Sequence, residues 1–341
     1  MKADLKGLTT HEIEGWAAAQ GLDSYRGRQI RHWLLGRLAG SFEEMTSLPK
    51  PLRALLTEKA NITHLETMKS LESEDGTRKY LFRLADGNLI ESVLIPERNH
   101  LTLCISSQAG CAMGCRFCFT AKQGFKRHLT PSEIIDQVIQ VKRSLDDPSR
   151  LTNIVMMGMG EPLHNYNATL IAVRGLIDQD GMNFSHRKIT LSTCGLVPEM
   201  ENMGRDMTVN LAVSLNAADD ETRNFLMPIN KKFPLKTLLS ACRRLPLPNR
   251  RMITFEYILI KGINDSHGDA SKLVRLLAGV RAKVNLIPLN PYPGSALTPP
   301  STKKILGFQE ILLGNDFTAI IRKSKGNDIM AACGQLSGCA S

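Results

Sequence analysis

The chain has 341 residues, enough for one large domain and a small one, and its 43% hydrophobic and 22% charged content is ordinary for a globular protein. No apolar run approaches the ~20 residues of a membrane span, and Met1 to Trp16 hold no signal-like apolar stretch, so a cytoplasmic protein with no membrane partner is expected. Lys and Arg outnumber Asp and Glu by 43 to 33, a net charge of +10. That surplus favours a polyanionic partner, above all nucleic acid, although a merely basic enzyme shows it too.

Residues 1–75 read as a separate helical domain. Thr10 precedes an apolar-periodic stretch with Ile13, Trp16 and Ala17, and 25–38 is a second amphipathic run rich in Arg. Leu48-Pro49-Lys50-Pro51 breaks it, and 52–60 is predicted as another short helix. Arg26, Arg28, Arg31 and Arg37 make this module a candidate RNA-docking element, while a solvated basic face explains them equally well. A second domain is expected over 76–341. It opens with a β-hairpin, in which 79–84 and 89–95 alternate around Asp86-Gly87-Asn88 and Pro96 ends the second strand.

Beyond residue 100, β-rich runs recur at 101–106, 153–157, 188–192, 210–215, 254–260, 284–289 and 318–321, with helical patterns between most of them. One helix, through Val141, starts at Thr130-Pro131-Ser132-Glu133, a capping box with Pro in the first turn. Strands alternating with helices imply a parallel sheet. About six βα units predict an α/β fold built on an open, partial (βα)6 barrel.

The chemistry-bearing motif is Gly110-Cys111-Ala112-Met113-Gly114-Cys115-Arg116-Phe117-Cys118, directly after the first strand of that series. Eight cysteines in a cytosolic chain do not suggest a disulfide framework, and three within eight residues read as a metal site. Three thiolates, Cys111, Cys115 and Cys118, can hold three irons of a [4Fe–4S] cubane and leave the fourth open to a ligand. Zinc is the alternative, but it usually closes with four ligands, and no fourth Cys follows nearby.

A C-x3-C-x2-C loop in this place resembles the radical S-adenosylmethionine superfamily, whose open iron is chelated by the cofactor. Phe117 matches the aromatic residue that commonly precedes the last cysteine. Met156-Met157-Gly158-Met159-Gly160-Glu161-Pro162 follows the next strand, where glycines let backbone approach a ligand and Glu161 can accept from an ammonium group. In the superfamily this position binds the methionine amine of the cofactor.

From about 90 to 336 the chain is similar to the RlmN/Cfr family of RNA adenine methyltransferases, most of all its dual-specificity RlmN branch. The matching stretches include Ile90-Glu91-Ser92-Val93, Gln123-Gly124-Phe125, Val213-Ser214-Leu215-Asn216-Ala217, Pro288-Leu289-Asn290-Pro291 and Ala332-Cys333-Gly334-Gln335-Leu336. The resemblance implies methylation of adenine carbon 2 in 23S rRNA and in certain tRNAs, with two S-adenosylmethionine molecules per turnover and an external electron donor. It makes Cys333 the residue first methylated on sulfur, Cys104 its partner in a transient disulfide, and Glu91 the base that takes the ring proton. Gly160, Glu161, Ser192, Ser214, Leu215, Asn216 and Asn290 would contact the cofactor. Asn216 stands where many relatives carry His.

Alternatives remain. The carbon-8 specificity of the Cfr branch is the near one, and a non-catalytic zinc RNA-binding protein is the distant one. Cys194 and Cys242 match no motif and read as core. Cys339 is a second C-terminal thiol, but the Gly-Gln-Leu after Cys333 favours Cys333. Lys122, Arg127, Lys231, Lys232, Arg322, Lys323 and Lys325 flank the motifs as candidate phosphate contacts. The chain is expected to act as a monomer.

Overall fold

The structure, a computed structural model, describes residues 2–248 and 250–338; Cys339 lies outside them. One ten-stranded sheet organises the chain, with its strands in sequence order. These are β1 (Glu66–Glu72), β2 (Arg78–Arg83), β3 (Leu89–Pro96), β4 (Leu101–Cys104), β5 (Leu151–Met156), β6 (Ile189–Thr193), β7 (Asn210–Ser214), β8 (Ile253–Leu259), β9 (Ala282–Pro288) and β10 (Thr318–Ile321). β1 to β4 pair antiparallel and β4 to β10 pair parallel. Each parallel crossover carries a helix, as the alternating pattern predicts. The parallel part is therefore an open partial barrel of six βα units, with the hairpin as its antiparallel extension.

Alternation along the strands explains the open interior. In β6, Ile189 and Leu191 are buried while Thr190 and Ser192 are half-buried; in β9, Val284 and Leu286 are buried while Lys283 and Asn285 are half-buried. The buried set joins one core with helix residues such as Leu176, Met200, Leu238, Leu273 and Phe308. Successive strand residues point to opposite faces, so the polar set turns toward the barrel's hollow.

Two boundaries differ from the sequence reading. The main sheet begins at Glu66, inside the segment read as helical. β1 is an exposed edge strand of mostly polar residues, so it has no buried face whose alternation could be read. The third helix begins at Lys50 rather than after Pro51. Proline is tolerated in a first turn, where its missing N–H has no partner to lose.

The N-terminal module, with helices Thr10–Ala19, Ser24–Arg31 and Lys50–Lys59, meets helix Pro131–Arg143 through its Leu5–Gly7 turn, where a Cβ on Gly7 would lie 3.1 Å from Ser132 N. That helix is consequently buried nearly all round. The lock is ionic: the Lys6 ammonium meets the Asp136 carboxylate with both side chains buried, and Asp136 also accepts from Leu65 N at 2.7 Å. Arg31 is a second strut. It is buried, pairs with Asp178 at 2.7 Å and donates to Leu8 O. It is not an RNA-facing cation, which corrects one of the four arginines proposed for docking.

Candidate active site

The cluster loop leaves β4 through a small hairpin, Gln108–Gly110 paired with Phe125–His128. Gly110 has φ +72°, and a Cβ there would lie 1.8 Å from Gly124 O. Only glycine allows that approach, which seats Cys111 N on Gly124 O at 3.1 Å and closes the hairpin round the loop. Arg116 N donates to Leu226 O, and Tyr292 Oη to Arg116 O, both at 3.0 Å. Phe117, Cys194, Leu226, Met227 and Leu289 form an apolar jacket about Met113, Cys115 and Cys118.

The three thiols therefore face each other in a dry setting. Burial pushes Cys111 up to about 12, with Cys118 and Glu161 adding to the rise. Cys115 is also raised well above its ordinary value, by burial and then by Cys118 and Cys111. A metal cluster would bind them as thiolates, because coordination deprotonates its thiol ligands outright. Among the described residues no three His, Cys, Asp or Glu side chains crowd a single ion position. Three thiolates around a cubane bind separate iron corners rather than one shared ion, and the loop fits that group.

Beside the loop, Gly158 and Gly160 let the chain after β5 lie against the end of β4. A Cβ on Gly160 would sit 2.5 Å from that of Gln108, and one on Gly158 would sit 2.7 Å from Ile105 O. Glu161 is buried, accepts from Cys194 N at 2.7 Å and from Leu163 N at 3.0 Å, and is charge-coupled to Cys111 and Cys115. Burial raises its pKa, and the Cys194 and Leu163 amides pull against that rise. The Cys194 and Thr193 side chains also hydrogen-bond to this carboxylate and help hold it in place.

The other candidate cofactor residues line the C-terminal ends of β6, β7 and β9. Ser192 and Ser214 belong to the half-buried row. Leu215 and Asn216 donate their backbone N–H groups to Glu256 O. Asn216 is buried, with φ +58°; its Oδ1 accepts from Ile258 N and its Nδ2 donates to Met227 Sδ. Asn290 Nδ2 donates to Cys333 O at 3.1 Å, which ties the acceptor segment to the end of β9.

Cys333 comes to this same mouth. Phe119 N donates to Gly334 O, Thr120 Oγ1 to Leu336 O and Gln335 Nε2 to Pro291 O. The residue keeps exposed surface, yet the surrounding walls desolvate its thiol and push it up to about 11, with the like charge of Glu256 adding to the rise. A thiol in a cleft open to solvent reconciles the two. Cys104 is buried at the end of β4; burial raises it most, and Cys333 raises it further. Residues far apart in sequence are thus close enough to interact electrostatically, both as free thiols.

Glu91 is also there, and it is not a solvated hairpin charge. It is buried, pairs with Lys79 at 3.1 Å and accepts from Ser337 N at 2.7 Å and Gly338 N at 3.0 Å. Lys79 Nζ in turn donates to Met330 O. The carboxylate therefore grips the Cys333 segment on both sides.

Asp75 holds the same segment, accepting from Thr77 N and Gly326 N. Burial would raise its carboxyl, but the Thr77 and Gly326 hydrogen bonds together outweigh it and hold it at about 2. A depressed carboxylate stabilises the fold above its ordinary value of 3.8 and loses that contribution as pH falls toward about 2. Asp75→Asn should imitate the acid state at neutral pH. We expect faster hydrogen exchange at the Gly326 amide and several-fold faster alkylation of Cys333; unchanged rates would refute the strap.

A family model of the radical SAM superfamily matches residues 105–274, and one described as the ribosomal RNA large subunit methyltransferase N-terminal domain matches residues 3–62. The chain is 52% identical to the dual-specificity RNA methyltransferase RlmN of Syntrophus aciditrophicus over 337 residues, covering 99% of this chain and 97% of that one. To the RlmN of Geobacter sulfurreducens it is 54% identical, covering 98% and 92%. The chain belongs to the RlmN family. It is accordingly a radical-SAM RNA methyltransferase that uses a [4Fe–4S] cluster and S-adenosylmethionine. The fold agrees. A crystal structure of a radical SAM methyltransferase from Sphaerobacter thermophilus superposes with a TM-score of 0.94 at 46% identity, covering 99% of this chain and all of that one.

Several residues of this RlmN-family site carried no readable signal. Arg223 is fully buried beside the cluster loop and donates to the carbonyls of Leu215, Cys194 and Ser214 and to Asn230 Oδ1; among the described residues no carboxylate lies within ion-pair distance of it. Gln137 accepts from Ser106 N and donates to Ser106 O, fixing the end of β4. Asn264 Nδ2 holds Asn216 O. Arg127, read as a phosphate contact, is clamped between Glu133 and Asp86. Cys194 and Cys242 are buried as expected, but Cys194 is part of the jacket around the cluster loop.

Proposed function

We propose that this RNA methyltransferase methylates carbon 2 of a specific adenine in 23S rRNA and of an adenine in certain tRNAs. What supports the reading is that Cys104 and Cys333 interact electrostatically, that Cys333 in turn interacts with Cys118 of the cysteine loop, and that Glu91 holds Ser337 and Gly338 in the Cys333 segment. When bound, the reduced cluster supplies the electron that cleaves S-adenosylmethionine to methionine and a 5′-deoxyadenosyl radical. Adenine carbon 2 is too electron-poor to attack a sulfonium methyl directly, so a radical route suits it.

The chain's own residues do the rest. Cys333 loses its proton and takes a methyl group from a first S-adenosylmethionine. Its S-methyl group then gives up a hydrogen atom to the radical from a second, the resulting methylene radical adds to the ring carbon, and the adduct gives up its one surplus electron, for which the bound cluster would be the acceptor. Glu91 takes the ring proton; to do so its Oε2 exchanges the Ser337 and Gly338 amides for the substrate. Cys104, as the thiolate, attacks the Cys333 sulfur; the sulfur–methylene bond breaks, the electron pair goes to the base-bound carbon, a proton from solvent completes the methyl group, and an external reductant restores the pair from the Cys104–Cys333 disulfide. Gly160, Glu161, Ser192, Ser214, Leu215, Asn216 and Asn290 seat the cofactor. The N-terminal helical segment within residues 1–75 docks RNA, and 76–341 carries the chemistry. The enzyme works as a cytoplasmic monomer with a separate electron donor.

The test is anaerobic turnover of the iron-loaded enzyme with RNA, followed by digestion and mass spectrometry. The expected product is 2-methyladenosine. Finding only 8-methyladenosine would overturn the carbon assignment.

A further inference from the structure

Phe125 is in a motif that the reaction leaves without a task. Its side chain is 38% exposed, on a strand whose other residues are largely polar. It does not stand alone. The Phe125 ring lies 5.0 Å from that of His128 and 5.6 Å from that of His164, and the two imidazoles are 4.8 Å apart. All three residues are exposed, so the surface carries a contiguous aromatic cluster rather than a stray apolar residue.

The cluster is held from below. Gln108 Nε2 reaches Nδ1 of His128 and of His164, each at 3.0 Å. One amide nitrogen can donate to both only if each imidazole accepts at Nδ1, which leaves each ring neutral with its N–H at Nε2. Burial and the neighbouring His164 lower the pKa of His128, in keeping with neutral rings. Gln108 Oε1 accepts from Glu161 N at 2.8 Å, and Gly124 O, one residue before Phe125, accepts from Cys111 N. The same two backbone groups that shape the cofactor site therefore fix the platform at its rim.

A rigid, neutral aromatic surface offers π-faces, and nucleobases stack on Phe and His when they leave their own stack. Lys126 and Lys122 are exposed close by in sequence, and the chain's net +10 suits a phosphate backbone passing over them. A target adenine must be splayed out to reach Cys333, which leaves a neighbouring base without its stacking partner. We propose that Phe125, with His128 and His164, is a stacking platform for an unpaired base of the RNA substrate that flanks the target adenine. This rests on the RNA-methylating reading above and adds the surface that holds the substrate open.

The test is fluorescence-anisotropy titration of a labelled RNA stem-loop with an unpaired adenine against the full-length protein, its Phe125→Ala and Phe125→Trp variants, and His164→Ala. Losing one base stack should weaken binding by about 5- to 150-fold in Phe125→Ala, less in His164→Ala, with Phe125→Trp near wild type. The salt dependence should keep its slope, because no phosphate contact is removed. Affinity of Phe125→Ala within twofold of wild type overturns the platform. If wild type itself fails to bind the RNA, the RNA-methylating reading falls first. Should Phe125→Ala misfold, photo-crosslinking of the unaltered protein to RNA carrying 5-iodouridine beside the adenine decides. Crosslinks in the Phe125–His128 strand support the platform, and crosslinks only elsewhere reject it.

Discussion

Cys333→Ala is expected to lower methyl transfer to RNA by at least about 10³-fold, the scale on which covalent catalysis fails without its nucleophile. Iron content should stay at about four per chain, because the cluster thiols are separate from the acceptor. Cys104→Ala should fail differently. Cys333 would still be methylated and the RNA would still become attached, but nothing would attack the sulfur to release it. A denaturation-resistant protein–RNA adduct should therefore accumulate in Cys104→Ala and be absent from Cys333→Ala. Gel analysis and mass spectrometry of labelled RNA check both outcomes. Undiminished methylation by Cys333→Ala would mean that the methyl group never passes through this residue.

The cluster loop and the glycines after β5 were legible because their chemistry imposes local spacing. Three ligands to one cluster must lie close along a tight loop, and a backbone that touches a ligand must shed its Cβ. The barrel was legible for a similar reason: buried strands and amphipathic helices alternate with fixed periods. What could not be read depends on contacts between distant segments. Glu91 looks like any hairpin carboxylate until Lys79, Ser337 and Gly338 are seen around it. Arg223 looks like a solvent-facing helix residue, yet four acceptors from three segments enclose it. Arg31 and Arg127 share the composition of RNA-binding cations, and only their partners Asp178, Glu133 and Asp86 show them to be struts. Cys104 and Cys333 could be paired beforehand only through the family resemblance.

Asp136→Ala should cost about 3–5 kcal/mol, the usual penalty for breaking a buried ion pair from one side. The loss strands the Lys6 ammonium, which is 1% exposed and, among the described residues, is left with the Thr63 carbonyl, and it orphans Leu65 N as well. A chain of this size should lose about 4–7 °C in Tm. The effect should also be local. Both tryptophans, Trp16 and Trp33, lie in the N-terminal module, so their fluorescence follows that module, whereas far-UV circular dichroism is dominated by the barrel. In Asp136→Ala the fluorescence transition should precede the dichroism transition in a urea titration, whereas in wild type the two should coincide. Replacing both partners, as Lys6→Met with Asp136→Leu, should recover much of the loss, because an apolar pair needs no compensating charge. If the single variant unfolds with wild-type midpoints by both probes, this pair does not hold the module. If the module does loosen, RNA affinity should fall while S-methylation of Cys333 continues, since the lock sits on the outer face of a helix whose inner face supports β4.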